Sequence, residues 1–364
     1  MQYDVIVIGG GMVGAATAYG LAKQGQKVLV LDGEDLTLSA SKANFGLVWV
    51  QGKGWDHAPY AQWCQIATNL WPELSDELKA TQVDISYQRR GGFDFCINEQ
   101  EWQERESMMS ALWKNTDGMF EYEMLNHSKL KKMIPEISKS VIGASFSPQD
   151  GHVDPLALLQ ALCKAMQNLG VTYMGNCLVE AITPKHGEYV VKGAKGVFTA
   201  GKIVLCAGLA NGQLGEQLGM NIPVVAERGQ VLITERLKPF LKWPTLNVRQ
   251  TAQGTVQIGD SHEDVGLNDG TTPEVLKQIA QRAVLMFPLL SSVHLVRAWG
   301  GLRILTPDGN PIYQQSTSNP GVFSVTCHSG VTLAAAHAGP LCDWILGDSY
   351  LPVIEQFSMD RFDV

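Results

Sequence analysis

The residues from Tyr3 to Asp32 constrain the fold more than any other stretch of the chain. Tyr3-Asp4-Val5-Ile6-Val7-Ile8 is a short apolar run of β-branched character, the mark of a buried parallel strand. Gly9-Gly10-Gly11-Met12-Val13-Gly14 follows at once and matches G-x-G-x-x-G through Gly9, Gly11 and Gly14. Ala15 to Gln24 is rich in alanine and reads as a helix that Gly25 ends. Lys27-Val28-Leu29-Val30-Leu31 is then a second strand, closing on Asp32.

Each glycine has a physical task in that order. Gly9 permits the tight turn, Gly11 lets a pyrophosphate approach the backbone, and Gly14 allows close packing of helix on strand. The helix N-terminus offers free N–H groups and a partial positive charge to phosphates. Asp32 stands where an acid accepts hydrogen bonds from ribose hydroxyls. The unit therefore reads as a dinucleotide site, and by itself it does not choose between FAD and NAD.

With 364 residues the chain is long for one core and suggests two intimately packed lobes. A formal charge of −8 argues against a nucleic-acid surface. The seven cysteines, at 64, 96, 163, 177, 206, 327 and 342, contain no C-x-x-C pair, so neither a disulfide framework nor a cysteine metal site is expected. They read as reduced thiols of a cytoplasmic protein. There is no signal-type segment and no run of roughly 18 apolar residues to span a membrane. Peripheral contact with a membrane stays open.

After Asp32, the small residues from Ser39 through Ser41 and Asn44 to Gly46 suit a loop running close beneath a bound cofactor or over the surface. Residues 56–80 read as a helix with Trp63, Ile66, Leu70, Trp71 and Leu74 on its core side, broken or kinked at Pro72. Glu99 to Asn115 is a polar helix. Asp154 caps a helix that starts at Pro155, and His152 reads as a packed loop histidine. Val197 to Thr199 and Lys202 to Gly208 read as two strands, and the pattern beyond them turns antiparallel. A terminal helix is expected from Leu333 to Leu346.

Six motifs in order give the chain a resemblance to the D-amino-acid oxidase superfamily of flavoproteins, in its glycine oxidase and sarcosine oxidase branch. They are the Gly9–Gly14 fingerprint with Asp32, Gly151-His152-Val153-Asp154-Pro155, Cys206-Ala207-Gly208, Arg228-Gly229-Gln230, Trp299 to Arg303 with Thr306 to Gly309, and His328 to Leu333. Ala43-Asn44-Phe45-Gly46-Leu47-Val48 resembles the flavin subunits of heteromeric opine, hydroxyproline and cyanide-forming glycine dehydrogenases. The resemblance implies an α/β fold. It has a Rossmann-like FAD-binding domain (1–80, 147–218 and 320–364) and an interleaved α+β substrate domain (81–146 and 219–319) on a mainly antiparallel sheet.

It also implies an activity, namely FAD-dependent oxidation of the C–N bond of a small or N-substituted amino acid, with hydride passing from Cα to flavin N5. The acceptor is then oxygen or another species, reached in the heteromeric case through partner subunits. FAD would rest on Gly9, Gly11, Gly14 and Asp32, with Ser39, Ser41, Asn44, Gly46, Val179 and Gly208 lining it. Gly330, Val331 and Thr332 would be donors near the pyrimidine end of the flavin. Arg303 matches the arginine that pairs with the substrate carboxylate, and Trp299, beside it in the motif, is expected at the catalytic site, shaping the side-chain pocket.

Two departures from the family pattern sharpen these expectations. Many relatives supply a tyrosine hydroxyl from the strand near 245–249, where this chain has Thr245-Leu246-Asn247-Val248-Arg249, so Asn247 or Arg249 is expected to substitute. Ile304-Leu305-Thr306 lacks the cysteine that binds flavin covalently in the sarcosine oxidase type, which implies non-covalent FAD.

Overall fold

In the computed structural model, which describes residues 2–33 and 40–362, the strand Gln2–Ile8 has parallel partners on both sides, Val28–Leu31 and Gly196–Leu205. Its inner residues Val5 to Val7 are wholly buried, as a strand covered on both faces requires. The sheet runs Ile312–Gln315, Val322–Thr326, Gly196–Leu205, Gln2–Ile8, Val28–Leu31, Thr172–Met174. Only the outermost pair on the Ile312 side is antiparallel along that path. A hairpin, Val179–Lys185 and Glu188–Gly193, joins it through Gly196–Leu205.

Helices Met12–Lys23, Pro155–Asn168, Ala58–Leu78 and Ala334–His337 pack together on one face, around Leu21, Trp63, Trp71 and Leu162. The other face holds a separate core with Ile6, Leu29, Val191 and Ile203. A third core, around Phe93, Phe95, Ile258 and Met286, joins two antiparallel sheets and the helix Pro273–Met286. One sheet runs Val248–Gln250, Thr255–Gly259, Val225–Arg236, Leu295–Leu305; the other is Gly92–Cys96, Gly143–Ser147, Glu123–Asn126. Backbone bonds between Phe93 and both Pro244 and Leu246 tie the sheets together.

Local rules account for several elements and fail at three. Asp154 accepts from the N–H groups of Leu156 and Ala157, capping the helix at Pro155 as expected. Pro72, however, does not break its helix, which runs from Ala58 to Leu78. The carbonyl that loses its partner there, Thr68 O, accepts instead from Arg89 Nη1 at 3.1 Å. Trp63, Trp71 and Leu74 are buried on that helix, whereas Ile66 is exposed.

The two strands expected at 197–199 and 202–208 are one, Gly196–Leu205, because its first half pairs with the hairpin and its second half with the central sheet. The terminal helix is two short helices, Ala334–His337 and Pro340–Leu346. Pro340 has no N–H to continue the first one.

Candidate active site

The N-terminal turn leaves no room for side chains. Gly9 has φ +103°, and a Cβ on it would lie 2.4 Å from the carbonyl oxygen of Cys206. A Cβ on Gly14 would lie 1.9 Å from Gly9 O, so the helix rests directly on the turn. The N–H of Gly10 donates to Asp32 Oδ2 at 2.6 Å, which fixes the acid at the end of its strand. Ser41 Oγ accepts from the N–H of Met12 at 2.8 Å, leaving its own hydroxyl proton for donation at the helix N-terminus. No acidic residue stands in the first turn of that helix to oppose an anion.

Further parts of the chain converge beside this turn. Cys177 N–H donates to Asp32 O at 2.8 Å, which brings the start of the Val179 strand alongside the acid. Gly208, with φ +61°, ends the central-sheet turn, where a Cβ would touch Ile304. Asn44 Oδ1 accepts from Gly46 N–H at 2.7 Å. Gly46 O accepts from Val153, and a Cβ on Gly46 would fall 2.4 Å from Val153 O. Ser39 lies outside the described residues.

At the far end the turn Gly330–Thr332 is held from three sides. Thr332 Oγ1 accepts from Trp49 N–H, Thr332 O accepts from Trp71 Nε1, and Tyr60 and Ser329 share a hydroxyl bond. The backbone N–H groups of Gly330, Val331 and Thr332 themselves have no acceptor among the described residues. Trp49 Nε1 is likewise buried without one. Such donors suit a heteroaromatic ring bearing carbonyl oxygens, and the glycine turn suits a pyrophosphate, so these residues fit a flavin dinucleotide.

Between the two ends lies a cavity of about 530 Å³. Phe45, Leu47, Trp49 and Val331 form apolar wall, while Arg303, Asp260 and Lys53 bring charge to it and His262 an imidazole. Arg303 stands directly opposite Glu227 across the ladder. Its Nη1 donates to Glu227 Oε1 at 2.8 Å and to Ser261 O at 2.7 Å, and its Nη2 donates to Asp260. Three of its five N–H donors are thus used within the protein. Glu227 also meets His262 Nδ1 at 2.8 Å. Arg105, also on the wall, is paired with the buried Asp94.

The other residues singled out in the sequence sit around this cavity. Trp299 is half-buried, its Nε1 donating to Ala43 O at 3.2 Å, and it braces the loop rather than the cavity wall. Asn247 follows the wall residue Leu246, and its carbonyl accepts from Gly259 N–H. Arg249 is buried beneath Gly46, donating to Gln257 and Val153, and burial lowers its pKa to about 10. His152 is packed in as expected, and burial lowers its pKa to about 3, so it is uncharged at neutral pH.

Lys53 and Asp260 on the cavity wall, and Glu227 against Arg303, are not singled out by the sequence reading, which includes Gly229 only as part of a motif. The signal for Lys53 is its place between Gly52 and Gly54, and for Gly229 its place in Arg228-Gly229-Gln230. Arg228 itself pairs with Glu263, away from the cavity wall.

Comparison with known proteins agrees with this geometry. The family model for FAD dependent oxidoreductases matches residues 4–344. An opine oxidase subunit from Agrobacterium tumefaciens (strain Ach5) is 39% identical over 364 residues, covering 99% of this chain and 98% of the relative. The glycine oxidase of Bacillus licheniformis is 26% identical, covering 99% and 98%. The crystal structure of glycine oxidase from Bacillus cereus superposes with a TM-score of 0.88 at 25% identity, covering 97% of each chain. The glycine turn, the orphaned donors and these full-length matches lead to one assignment: the chain belongs to the family of FAD-dependent oxidoreductases and is a flavoenzyme of the amino-acid oxidase and dehydrogenase type.

Proposed function

We propose that the chain is the flavin-bearing catalytic subunit of a heteromeric dehydrogenase acting on an N-substituted amino acid, the opine type named for its relatives. The observation that carries the substrate reading is Arg303, held at the cavity wall by Glu227, Asp260 and Ser261 with two N–H donors unused among the described residues. Two parallel donors on a fixed guanidinium orient a carboxylate, and with it the neighbouring Cα–H. The relatives are named as one subunit of an opine oxidase, which supports the partner reading.

In this reading Gly9, Gly11, Gly14, Ser41 and Asp32 hold the pyrophosphate and ribose, and Asn44, Gly46, Val179 and Gly208 line the cofactor. Gly330 to Thr332 donate to the ring end. FAD supplies the two-electron acceptor when bound. The chain's own residues bind the carboxylate, keep the neutral amine beside the ring, and exclude water with Phe45, Leu47 and Trp49. The substrate loses two electrons and its Cα hydrogen, and the amine proton passes to water. The imine formed then takes up water to give an oxo acid and an amine. We place the FAD-binding lobe at 1–80, 147–218 and 320–364, and the substrate lobe at 81–146 and 219–319. No described helix is long and apolar enough to cross a membrane, and the seven free cysteines support a reducing, cytoplasmic setting.

The test is anaerobic titration of the FAD-loaded chain with glycine, D-proline, sarcosine and N-(carboxyalkyl) amino acids, followed by air. Bleaching of the flavin band by an N-substituted member, with slow recolouring in air and fast recolouring by dichlorophenolindophenol, is expected. A flavin that stays oxidised throughout overturns the substrate reading, and fast recolouring in air overturns the subunit reading.

A further inference from the structure

We infer that Lys53 binds a second carboxylate on the substrate, so that the site selects amines carrying one carboxylate at Arg303 and another at Lys53. This rests on the reading of the cavity as an N-substituted amino acid site.

The argument begins with how the chain holds this lysine. Gly52 and Gly54 have φ of +80° and +67°. A Cβ on Gly54 would lie 2.2 Å from Ala61 N, so only glycine fits there. Lys53 N–H donates to Val50 O at 3.0 Å and His57 N–H to Gly54 O at 3.1 Å, which pins the turn on both sides of the lysine. Lys53 lines the same cavity as Arg303, and its ammonium meets the wall residue His328.

Charge balance then sets Lys53 apart. The other two permanent cations of the wall have carboxylate partners within the protein, Arg105 in Asp94 and Arg303 in Glu227 and Asp260, and Arg303 offers a further carboxylate only the donors those partners leave. Among the described residues Lys53 has no carboxylate within 4 Å, and its one polar side-chain contact is His328 Nδ1 at 3.4 Å. That histidine brings no negative charge; burial, then Lys53 and Arg303, push its pKa well down. Burial also lowers the pKa of Lys53 and the Arg303 charge adds to the effect, while Cys64, Cys327 and the more distant Asp260 oppose it without reversing it. An ammonium held without a counter-ion in a half-buried wall is a site for an anion. A carboxylate delivered by the substrate restores its charge and gains a charge-assisted hydrogen bond.

A substrate with a single carboxylate satisfies Arg303 and leaves Lys53 as it is. A secondary amine with a carboxylate on each arm satisfies both. The smallest such molecule is iminodiacetate, and removing one of its carboxylates gives sarcosine, so the pair isolates the contribution of Lys53.

The experiment uses the FAD-loaded full chain, its Lys53→Met and Lys53→Arg variants, and Arg303→Met as a control. Kd is read at equilibrium from the perturbation of the flavin spectrum, and the flavin reduction rate from anaerobic mixing. Lys53→Met should weaken iminodiacetate by about ten- to a hundredfold, the loss of one hydrogen bond between charged groups. Sarcosine should change less than about threefold. Lys53→Arg should recover much of the iminodiacetate affinity, and Arg303→Met should weaken both ligands.

Equal weakening of both ligands by Lys53→Met, or none of either, overturns the assignment of Lys53. If the unaltered protein binds and oxidises neither ligand, the substrate reading itself has failed, and this inference with it. FAD content and melting temperature of each variant separate these outcomes from loss of folding.

Discussion

The guanidinium of Arg303 lies against the bare Cα of Gly229. The two residues belong to adjacent antiparallel strands, where Arg303 faces Glu227 and Gly229 stands two residues further along the same face. A Cβ on Gly229 would come within 2.5 Å of Nη2. The absence of a side chain there therefore sets the position of the guanidinium, and its three internal bonds fix the orientation.

Gly229→Ala should accordingly act as a substrate-binding mutation without touching substrate. Displacing the guanidinium misaligns its remaining donors, so KM for the carboxylate substrate should rise by roughly ten- to a hundredfold, as expected for one bond to a charged group. Steady-state kinetics with dichlorophenolindophenol as acceptor would show it, and FAD content should be unchanged. An unaltered KM would mean that the anchor lies elsewhere.

Gly14→Ala should remove the cofactor. The added methyl would collide with Gly9 O, pushing the helix off the turn and carrying its N–H groups away from the pyrophosphate. The visible-to-ultraviolet absorbance ratio of the purified variant should drop, and the Kd for added FAD should rise by more than about tenfold, a change of about 1.4 kcal/mol.

Asp150 makes stability depend on pH in an unusual direction. Burial raises its pKa from 3.8 to about 7, against the opposing donation from Val50 N–H and Gln51 Nε2. An acid whose folded pKa is raised contributes stability in full below its unfolded pKa and loses it as pH rises through the folded value. Its contribution should therefore fall between about pH 4 and about pH 7, with a slope of at most about 1.4 kcal/mol per pH unit. Asp150→Asn should flatten that part of the curve, which thermal melts from pH 5 to 8 would register.

Non-covalent attachment of FAD is expected from Ile304-Leu305-Thr306, which offers no thiol after Arg303. The mass of the denatured chain should equal that of the polypeptide alone. An added flavin mass would point to another attachment residue.

The first strand, the glycine turn and Asp32 are legible in the sequence because their determinants are local: spacing, small residues and a β-branched run within 32 positions. The cap at Asp154 and the helix after it are legible for the same reason. Pro72 misleads because its remedy is distant: Arg89 donates to the carbonyl that the proline leaves without a partner. The single strand Gly196–Leu205 looks like two because its halves answer to different neighbours.

At the cavity, the presence of Arg303 accords with the motif around it, but its companions are not legible in the sequence. Glu227, Asp260 and Ser261 reach it from another strand and the turn beyond Thr255–Gly259, a convergence that no spacing along the chain records. Lys53 belongs to no family motif; the glycines beside it are its one signal along the chain, and its lack of a carboxylate partner among the described residues shows only in three dimensions.

The double duty of Gly196–Leu205 restricts how this chain can vary in length. The strand takes its register from the hairpin strand Glu188–Gly193 at one end and brings Cys206 and Ala207 against Gly9 of the glycine turn at the other. One residue added or lost within it would turn every core side chain to the opposite face and shift the turn by a step. Insertions and deletions are therefore expected to collect at His186-Gly187, whose φ of +49° and +84° mark the tip of the hairpin. A library of loop grafts built on this scaffold should keep its cofactor when cut there and lose it when cut a few residues later.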